Sequence, residues 1–142
     1  MIIQCVTNSF RSEMLQGVHD LSTDTLKLAL YTGSANLYPT TTAYSATGEV
    51  VATGYTAGGL ILTGVTITTG TASTTQPAVV YVNFDNAVWT SALTARGGLI
   101  YNASKADRSI AVLDFGSDKT STTTFTVQMP SNTSTSALLR FP

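Results

Sequence analysis

Few residues of this chain could carry acid–base, nucleophilic or metal chemistry. The 142 residues include one histidine, His19, one cysteine, Cys5, and eight acidic residues. One histidine and one cysteine cannot supply the ligand set of a histidine/cysteine metal site. His19 falls near the end of a predicted helix, where we expect an exposed imidazole beside the helix dipole. Cys5 lies in an apolar run, which favours a buried or interface thiol over a nucleophile.

The acidic residues suggest one structural pair. A carboxylate pair for glycoside hydrolysis could be drawn from Asp85, Asp114 and Asp118, but their spacing does not require it. Asp114 alternates with apolar residues inside a predicted strand, and a buried carboxylate needs a partner. We predict that Asp114 pairs with Arg96 within the fold, with a pair across a subunit interface as the alternative. We predict no catalytic, cofactor-binding or metal site, and no enzymatic activity.

The composition indicates a β-protein with a neutral surface. Charged residues make up 11% of the chain, compared with about 25% in ordinary soluble domains, and 26 positions are threonine. Threonine is β-branched and favours strands. Such a surface suits packing against another protein, because few charges must be desolvated, although an ordinary β-domain could share this composition. The net charge of −1 argues against a nucleic-acid groove, and no apolar run approaches the roughly 20 residues of a membrane helix.

Apolar spacing predicts a single helix over residues 9–19. Phe10, Met14 and Val18 recur every four residues and form one stripe, while Asn8 or Ser9 could cap the first turn. We expect this stripe to cover an open edge or end of a β core. The alternative is that Phe10, Met14 and Val18 form an interface for a partner.

The rest of the chain alternates apolar and polar residues over short stretches bounded by turns. Residues 25–32 show the clearest pattern, which predicts a half-buried strand. Residues 60–69 predict one longer strand with a bulge or bend at Gly64. The remaining predicted strands are 2–6, 78–84, 99–101, 110–115, 122–129 and 137–141.

The glycine-rich segment GYTAGG, residues 54–59, predicts backbone positions with positive φ or close approach. Its spacing differs from that of a phosphate-binding loop, and no lysine follows it. We therefore expect these glycines to have a structural role and not to bind phosphate.

Seven or eight short strands with one helix cannot build βαβ units, so the strands should pair mainly antiparallel. Two sheets packed face to face would bury their apolar sides. The sequence therefore predicts an all-β fold with a single domain over residues 1–142. We expect an antiparallel, jelly-roll-like β-sandwich with one short N-terminal helix.

Six motifs, taken in order, resemble a family of small virion proteins of tailed bacteriophages: VTNSFRSEMLQGVHDL, LKLALYT, GYTAGG, YVNF, TARGGLIYN and AVLDFG. The resemblance extends from residue 6 to about residue 130. It implies a structural protein of the virion, made in the host cytoplasm and located on the capsid surface as a decoration, or cement, protein. The implied partners are the major capsid protein or other virion proteins, and further copies of the chain in a homo-oligomer, with a trimer favoured. The resemblance brings no catalytic residue and no cofactor.

Two other functions stay open from the sequence. A tail, head–tail-connector or fibre-associated protein would share the same fold and composition. A carbohydrate-binding module would present aromatic side chains on an exposed face, and the candidates are Tyr31, Tyr38, Tyr55, Tyr81 and Trp89.

Overall fold

A computed structural model describes all 142 residues. It confirms the predicted all-β class with one short N-terminal helix. The helix, α1, spans Asn8–Leu15. The ten strands are β1 Cys5–Val6, β2 Leu26–Tyr31, β3 Leu60–Ile61, β4 Thr66–Thr69, β5 Val80–Asn83, β6 Ala87–Trp89, β7 Thr94–Asn102, β8 Arg108–Thr120, β9 Phe125–Val127 and β10 Leu139–Phe141. No helix is long and apolar enough to cross a membrane.

The strands form three antiparallel sheets. The large sheet has the order β1–β8–β7–β2–β3, and the small sheets have the orders β10–β5–β4 and β6–β9. Side chains from all three sheets and from α1 meet in one main core, which gives the molecule a sandwich-like layering. Its members include Leu28, Leu30, Ile100, Ile110, Val82, Leu139, Trp89, Phe125 and Phe10. Burying one such side chain contributes roughly 1.5–3 kcal/mol.

The strand predicted for residues 25–32 is present as β2, but its predicted half-burial is wrong, because β2 is buried on both faces. Leu28 and Leu30 belong to the main core, whereas Ala29 and Tyr31 belong to a second cluster on the other face of the large sheet. This second cluster is covered by the N-terminal residues and by the loop after β2, and its other members are Ile2, Ala35, Leu37, Leu99, Tyr101 and Val112. A loop covers the face that the alternating pattern would leave to water.

The single strand predicted for residues 60–69 is also wrong, because two strands occupy this stretch. β3 pairs with β2 in the large sheet, whereas β4 pairs with β5 in a small sheet. The chain bends between them at Gly64, which has φ +63°. A Cβ atom at this position would overlap the Asp85 carboxylate. The predicted bend at Gly64 is therefore where the chain passes from one sheet to another.

Strands β7 and β8 form a hairpin that is longer than the sequence pattern predicts. Their register shifts near Ala95 and Gly97, where β8 carries extra residues opposite β7. Gly116 lies in this bulge at φ +81°. On its outer side β8 pairs with β1 only at Ala111 and Val112. The outer edge of β8 is therefore without a strand neighbour from Asp114 onwards.

Helix α1 is shorter than the predicted 9–19 and begins one residue earlier. It ends before Gly17, which has φ +71°. Thr7 holds the N-cap position, but its hydroxyl donates to the carbonyls of Ser109 and Ile110 and makes no capping hydrogen bond to the helix. Phe10 is fully buried in the main core and Met14 is half-buried against it, while Val18 lies beyond the helix. Phe10 is thus not available to a partner.

Candidate functional site

The structure brings Arg96 and Asp114 together. The Arg96 Nε–H donates to Asp114 Oδ1 at 3.2 Å, and the Gly116 backbone N–H donates to the same oxygen at 2.9 Å. The Gly116 hydrogen bond and, next, the Arg96 hydrogen bond lower the pKa of Asp114. The two side chains are 33% and 26% exposed, so Asp114 has its partner although its carboxylate is not fully buried. The pair joins β7 to β8 beside the bulge, and such partly exposed pairs contribute about 0.2–1 kcal/mol.

A buried polar network lies where the sequence predicts an exposed histidine. The His19 side chain is fully buried, and its Nε2 atom lies 2.6 Å from Glu13 Oε2. Its Nδ1 atom lies 3.0 Å from Asn102 Nδ2. The expectation of a surface imidazole is therefore wrong. Glu13, on α1, is buried too.

The surroundings of Asn102 determine which nitrogen of His19 carries the proton. Asn102 Oδ1 accepts from the Ser104 backbone N–H at 3.0 Å, and Asn102 Nδ2 donates to Asp24 Oδ2 at 2.7 Å. Because these two bonds fix the amide orientation, Nδ2 also faces His19 Nδ1 as a donor. His19 Nδ1 is thus an acceptor, and Nε2 carries the hydrogen that is donated to Glu13. The ring is held as the neutral Nε2–H tautomer.

The charges around His19 are balanced in sign. Arg108 donates to Glu13 Oε1 at 2.9 Å, and Lys105 Nζ lies 3.6 Å from Asp24 Oδ1. Burial opposes ionisation of Asp24, but hydrogen bonds from Asn102 and the Asp20 backbone, together with the Lys105 charge, lower its pKa overall. We call these six residues the His19 network: Glu13, His19, Asp24, Asn102, Lys105 and Arg108. The network ties α1 and the turn after it to the β7–β8 hairpin.

A second buried carboxylate, Glu49, organises the segment before β3. Glu49 Oε2 accepts from the Tyr44 hydroxyl at 2.6 Å, and Oε1 accepts from the Tyr55 hydroxyl and the Gly58 N–H, each at 2.7 Å. Gly58 has φ +92°. We call Tyr44, Glu49, Tyr55 and Gly58 the Glu49 cage. The segment from residue 44 to residue 58 is thus wrapped around one carboxylate.

Tyrosines attach this cage to the large sheet. Tyr101 on β7 donates to the Gly58 carbonyl at 2.7 Å, and Tyr31 on β2 donates to the Ser45 carbonyl at 2.7 Å. Burial raises the pKa of the hydroxyls of Tyr31, Tyr44, Tyr55 and Tyr101, and the Glu49 charge raises it further. For Tyr101 the pKa rises to about 12. These phenols remain neutral donors at ordinary pH.

The expectation for GYTAGG is confirmed, since its three glycines all have positive φ. The values are +85° for Gly54, +92° for Gly58 and +76° for Gly59. A Cβ atom on Gly59 would overlap the Leu28 carbonyl. The segment therefore lies directly against β2.

The aromatic residues proposed for sugar binding do not share an exposed face. Tyr31 and Trp89 are buried in different clusters, on opposite faces of the large sheet. The Trp89 ring packs against Tyr55 and Phe125, with ring centroids 6.1 Å and 6.3 Å apart. Tyr55 belongs to the Glu49 cage. Tyr31, Tyr55 and Trp89 therefore do not form the exposed aromatic face that a carbohydrate-binding module needs, and Tyr38 and Tyr81 are half-buried.

A groove with a volume of about 620 Å³ lies between β8 and β9. Apolar side chains of Leu113, Phe115, Phe125 and Leu138 line it together with Asp114, Lys119 and several threonine, serine and glutamine residues. Its two walls are strand edges, because β9 pairs only with β6 and β8 has no outer neighbour from Asp114 onwards. Open strand edges beside apolar pockets suit an added polypeptide strand. We call this feature the β8–β9 groove.

The chain matches no known family model, no curated protein and no solved structure. The resemblance to tailed-phage virion proteins, and the capsid role that it implies, therefore stay predictions.

Proposed function

We propose that the protein is a structural protein of a bacteriophage virion, and specifically a capsid decoration protein that binds and stabilises the assembled head lattice. Its buried carboxylates, Glu13 and Glu49, are engaged in fixing loops to the large sheet. The outer surface is low in charge, and large apolar side chains such as Val51 and Leu15 are 96% and 92% exposed. This surface is the observation that carries the proposal, because it can pack on another protein with little desolvation of charge.

The positions of the family-like motifs support the same proposal. LKLALYT contains β2, TARGGLIYN is β7, and AVLDFG lies within β8. These are the central strands of the large sheet. A shared origin with phage virion proteins would therefore mean a shared central sheet, with the surface loops free to differ.

Decoration stabilises a head by mass action. A protein that binds the assembled lattice, but not separated capsid subunits, lowers the free energy of the lattice by about 2.7 kcal/mol per site when its free concentration is 100 times its dissociation constant. No chemical step is required of the decoration protein. A rigid fold with a weakly charged surface is sufficient for this role.

Binding to empty heads tests the proposal. Purified protein would be mixed with empty heads of the phage whose genome carries this sequence and sedimented, and both the decorated heads and whole virions would be imaged by cryo-electron microscopy. We expect saturable binding, with density that repeats over the whole head. Density confined to the tail, the connector or the fibres would overturn the decoration role in favour of the alternative virion locations. Absence of any virion binding would overturn the proposal.

A further inference from the structure

The outer edge of β8 loses its strand neighbour where β1 turns away. β1 pairs with β8 at two positions, and the preceding chain then bonds elsewhere, since the Ile3 backbone N–H donates to the Leu37 carbonyl at 3.0 Å. If β1 continued in the same antiparallel register, Ile3 would lie opposite Asp114. A strand edge without a neighbour can pair with a strand of another chain, and folded proteins have devices that prevent such pairing.

Side chains bond to the backbone N–H groups at the point where this edge opens. Gln4 Oε1 accepts from the Asp114 backbone N–H at 3.2 Å, in the place of a backbone carbonyl that a longer β1 would supply. Asp114 Oδ1 accepts from the Gly116 backbone N–H at 2.9 Å, and the Arg96 Nε–H donates to the same oxygen. Because alternate residues of a strand bond to the same neighbour, Asp114 and Gly116 carry the first two N–H groups that β8 would offer to an added strand.

Asp114 also interrupts an apolar stretch of the sequence. Residues 109–117 read SIAVLDFGS, and Asp114 is the only charged residue among them. Stretches that combine strand-forming apolar residues with little charge are prone to pair between chains when their edge is exposed. The Gly116 hydrogen bond is the largest of the effects that lower the pKa of Asp114, so its carboxylate is charged at neutral pH.

We propose that Asp114, held in place by Arg96 and assisted by Gln4, keeps the outer edge of β8 from pairing with a strand of another chain. The Arg96–Asp114 pair then does more than join β7 to β8, because it fixes the carboxylate where the Gly116 N–H can reach it. The bulge opposite Ala95 and Gly97 adds to this protection, since it breaks the regular spacing of backbone groups along β8.

The inference concerns the protein on its own and does not rest on binding to a phage head. It leaves the remaining surface free for the self-association included in the proposed function. The β8 wall of the β8–β9 groove is the part of the surface from which an added strand is kept away.

Amide hydrogen exchange at low protein concentration measures the two hydrogen bonds directly. In Asp114→Ala the Gly116 N–H has no acceptor, and we expect it to exchange roughly 2- to 12-fold faster than in the wild type, the factor that one hydrogen bond supplies. Gln4→Ala should have the same effect on the Asp114 N–H. An unchanged exchange rate for Gly116 in Asp114→Ala overturns the proposed role of the carboxylate.

Sedimentation velocity over a range of concentrations measures the consequence. We expect Asp114→Ala to form species larger than those of the wild type, at concentrations at least about tenfold below any at which the wild type forms them. Gln4→Ala should shift association in the same direction by a smaller factor, because the Asp114 charge remains.

Two matched controls separate this edge from general effects of the substitutions. Asp118→Ala removes an exposed negative charge from the same strand, and Gln76→Ala shortens an exposed glutamine in a loop. Neither substitution removes a hydrogen bond from the β8 edge, so both variants should sediment like the wild type. Thermal melts of every variant establish that each one is folded.

The outcomes separate the proposal from its alternatives. A folded Asp114→Ala variant that sediments like the wild type at every concentration overturns the proposal. Equal association of Asp118→Ala and Asp114→Ala also overturns it, because the loss of a charge would then explain the result. If Asp114→Ala does not fold, the exposed Gln4 still decides, since Gln4→Ala must associate more strongly than Gln76→Ala. Binding to empty heads is measured separately, and its failure would leave this inference standing.

Discussion

At the scale of single residues, two buried carboxylates hold together segments that lie far apart in the sequence. Glu13 accepts a hydrogen bond from Arg108, 95 positions away in the sequence. It also binds Nε2 of His19, whose Nδ1 atom contacts Asn102. Glu49 accepts hydrogen bonds from Tyr44, Tyr55 and Gly58, which all lie within nine positions of it in the sequence. Removing one partner of such a group leaves a buried charge without its hydrogen bond, which costs far more than the pair contributes on balance.

The tautomer of His19 can be observed directly, because the chain has a single histidine. Nitrogen-15 NMR at neutral pH should show an unprotonated Nδ1 and a protonated Nε2, since the Asn102 amide donates to Nδ1. Asn102→Ala removes that donor and leaves His19 and Asp24 underpaired. We expect this variant to lose about 2–4 kcal/mol of unfolding free energy in urea. A proton on Nδ1 in the folded protein would contradict the proposed orientation of the network.

The buried tyrosines predict a loss of stability at alkaline pH. The pKa values of Tyr31, Tyr44, Tyr55 and Tyr101 are raised in the folded state, whereas phenols in the unfolded chain ionise near pH 10. The folded state therefore binds more protons than the unfolded state above about pH 10, and the free energy of unfolding falls as the pH rises.

Urea unfolding between pH 8 and pH 11, combined with phenolate absorbance, checks this prediction. Fully denatured protein is the control, and all six of its tyrosines should ionise near pH 10. If the folded protein reaches the same phenolate absorbance at the same pH, the four hydroxyls are not protected as described.

At the scale of elements, sequence periodicity located most strands but not their neighbours. The alternation at 122–129 places Thr123, Phe125, Val127 and Met129 on one face, and the last three are buried whereas Thr123 is exposed. Periodicity reports which side of a strand is apolar, but not which sheet the strand joins, so residues 60–69 predict one strand instead of two. The Arg96–Asp114 pair was accessible to prediction because both residues lie in one hairpin. The His19 network was not, because it depends on where the hairpin turn packs against α1.

The close approach of Gly59 to β2 predicts a large difference between two glycine substitutions. Gly59→Ala forces a positive φ on alanine and also drives its Cβ into the Leu28 carbonyl. Gly116→Ala imposes a similar φ, but nothing lies within 4 Å of the new Cβ. We expect a loss of about 1 kcal/mol for Gly116→Ala and of more than about 3 kcal/mol for Gly59→Ala.

Urea denaturation of the two alanine variants measures this difference. Because the φ strain is common to both, the excess loss in Gly59→Ala reports the backbone contact. Equal losses would mean that the 54–59 segment moves away from β2 at little cost.

At the scale of the whole molecule, the large sheet contributes side chains to two apolar clusters, one on each of its faces. β2 contributes Leu28 and Leu30 to the main core and Ala29 and Tyr31 to the second cluster, and β7 contributes Ile100 and Leu99 in the same alternating way. If either cluster unpacks, β2 and β7 lose the contacts that hold them on that face, and the other cluster is disturbed as well. The loop that covers the second cluster is therefore part of the same folding unit as the sandwich.

This sharing predicts a single cooperative unfolding transition. Trp89, the only tryptophan, lies in the main core, so its fluorescence reports that core. Tyr31 and Tyr101 lie in the second cluster, and Tyr44 stacks on Tyr101 with ring centroids 4.9 Å apart. Tyr55 packs against the main core, so the tyrosine near-ultraviolet circular dichroism of a Trp89→Phe variant comes in large part, but not entirely, from the other face. We expect both signals to change at the same urea concentration when each variant is compared with its own far-ultraviolet transition. An earlier change in the tyrosine signal would mean that the loop and the N-terminal residues detach first, and that the second cluster is a separate unit laid over an independently stable sandwich.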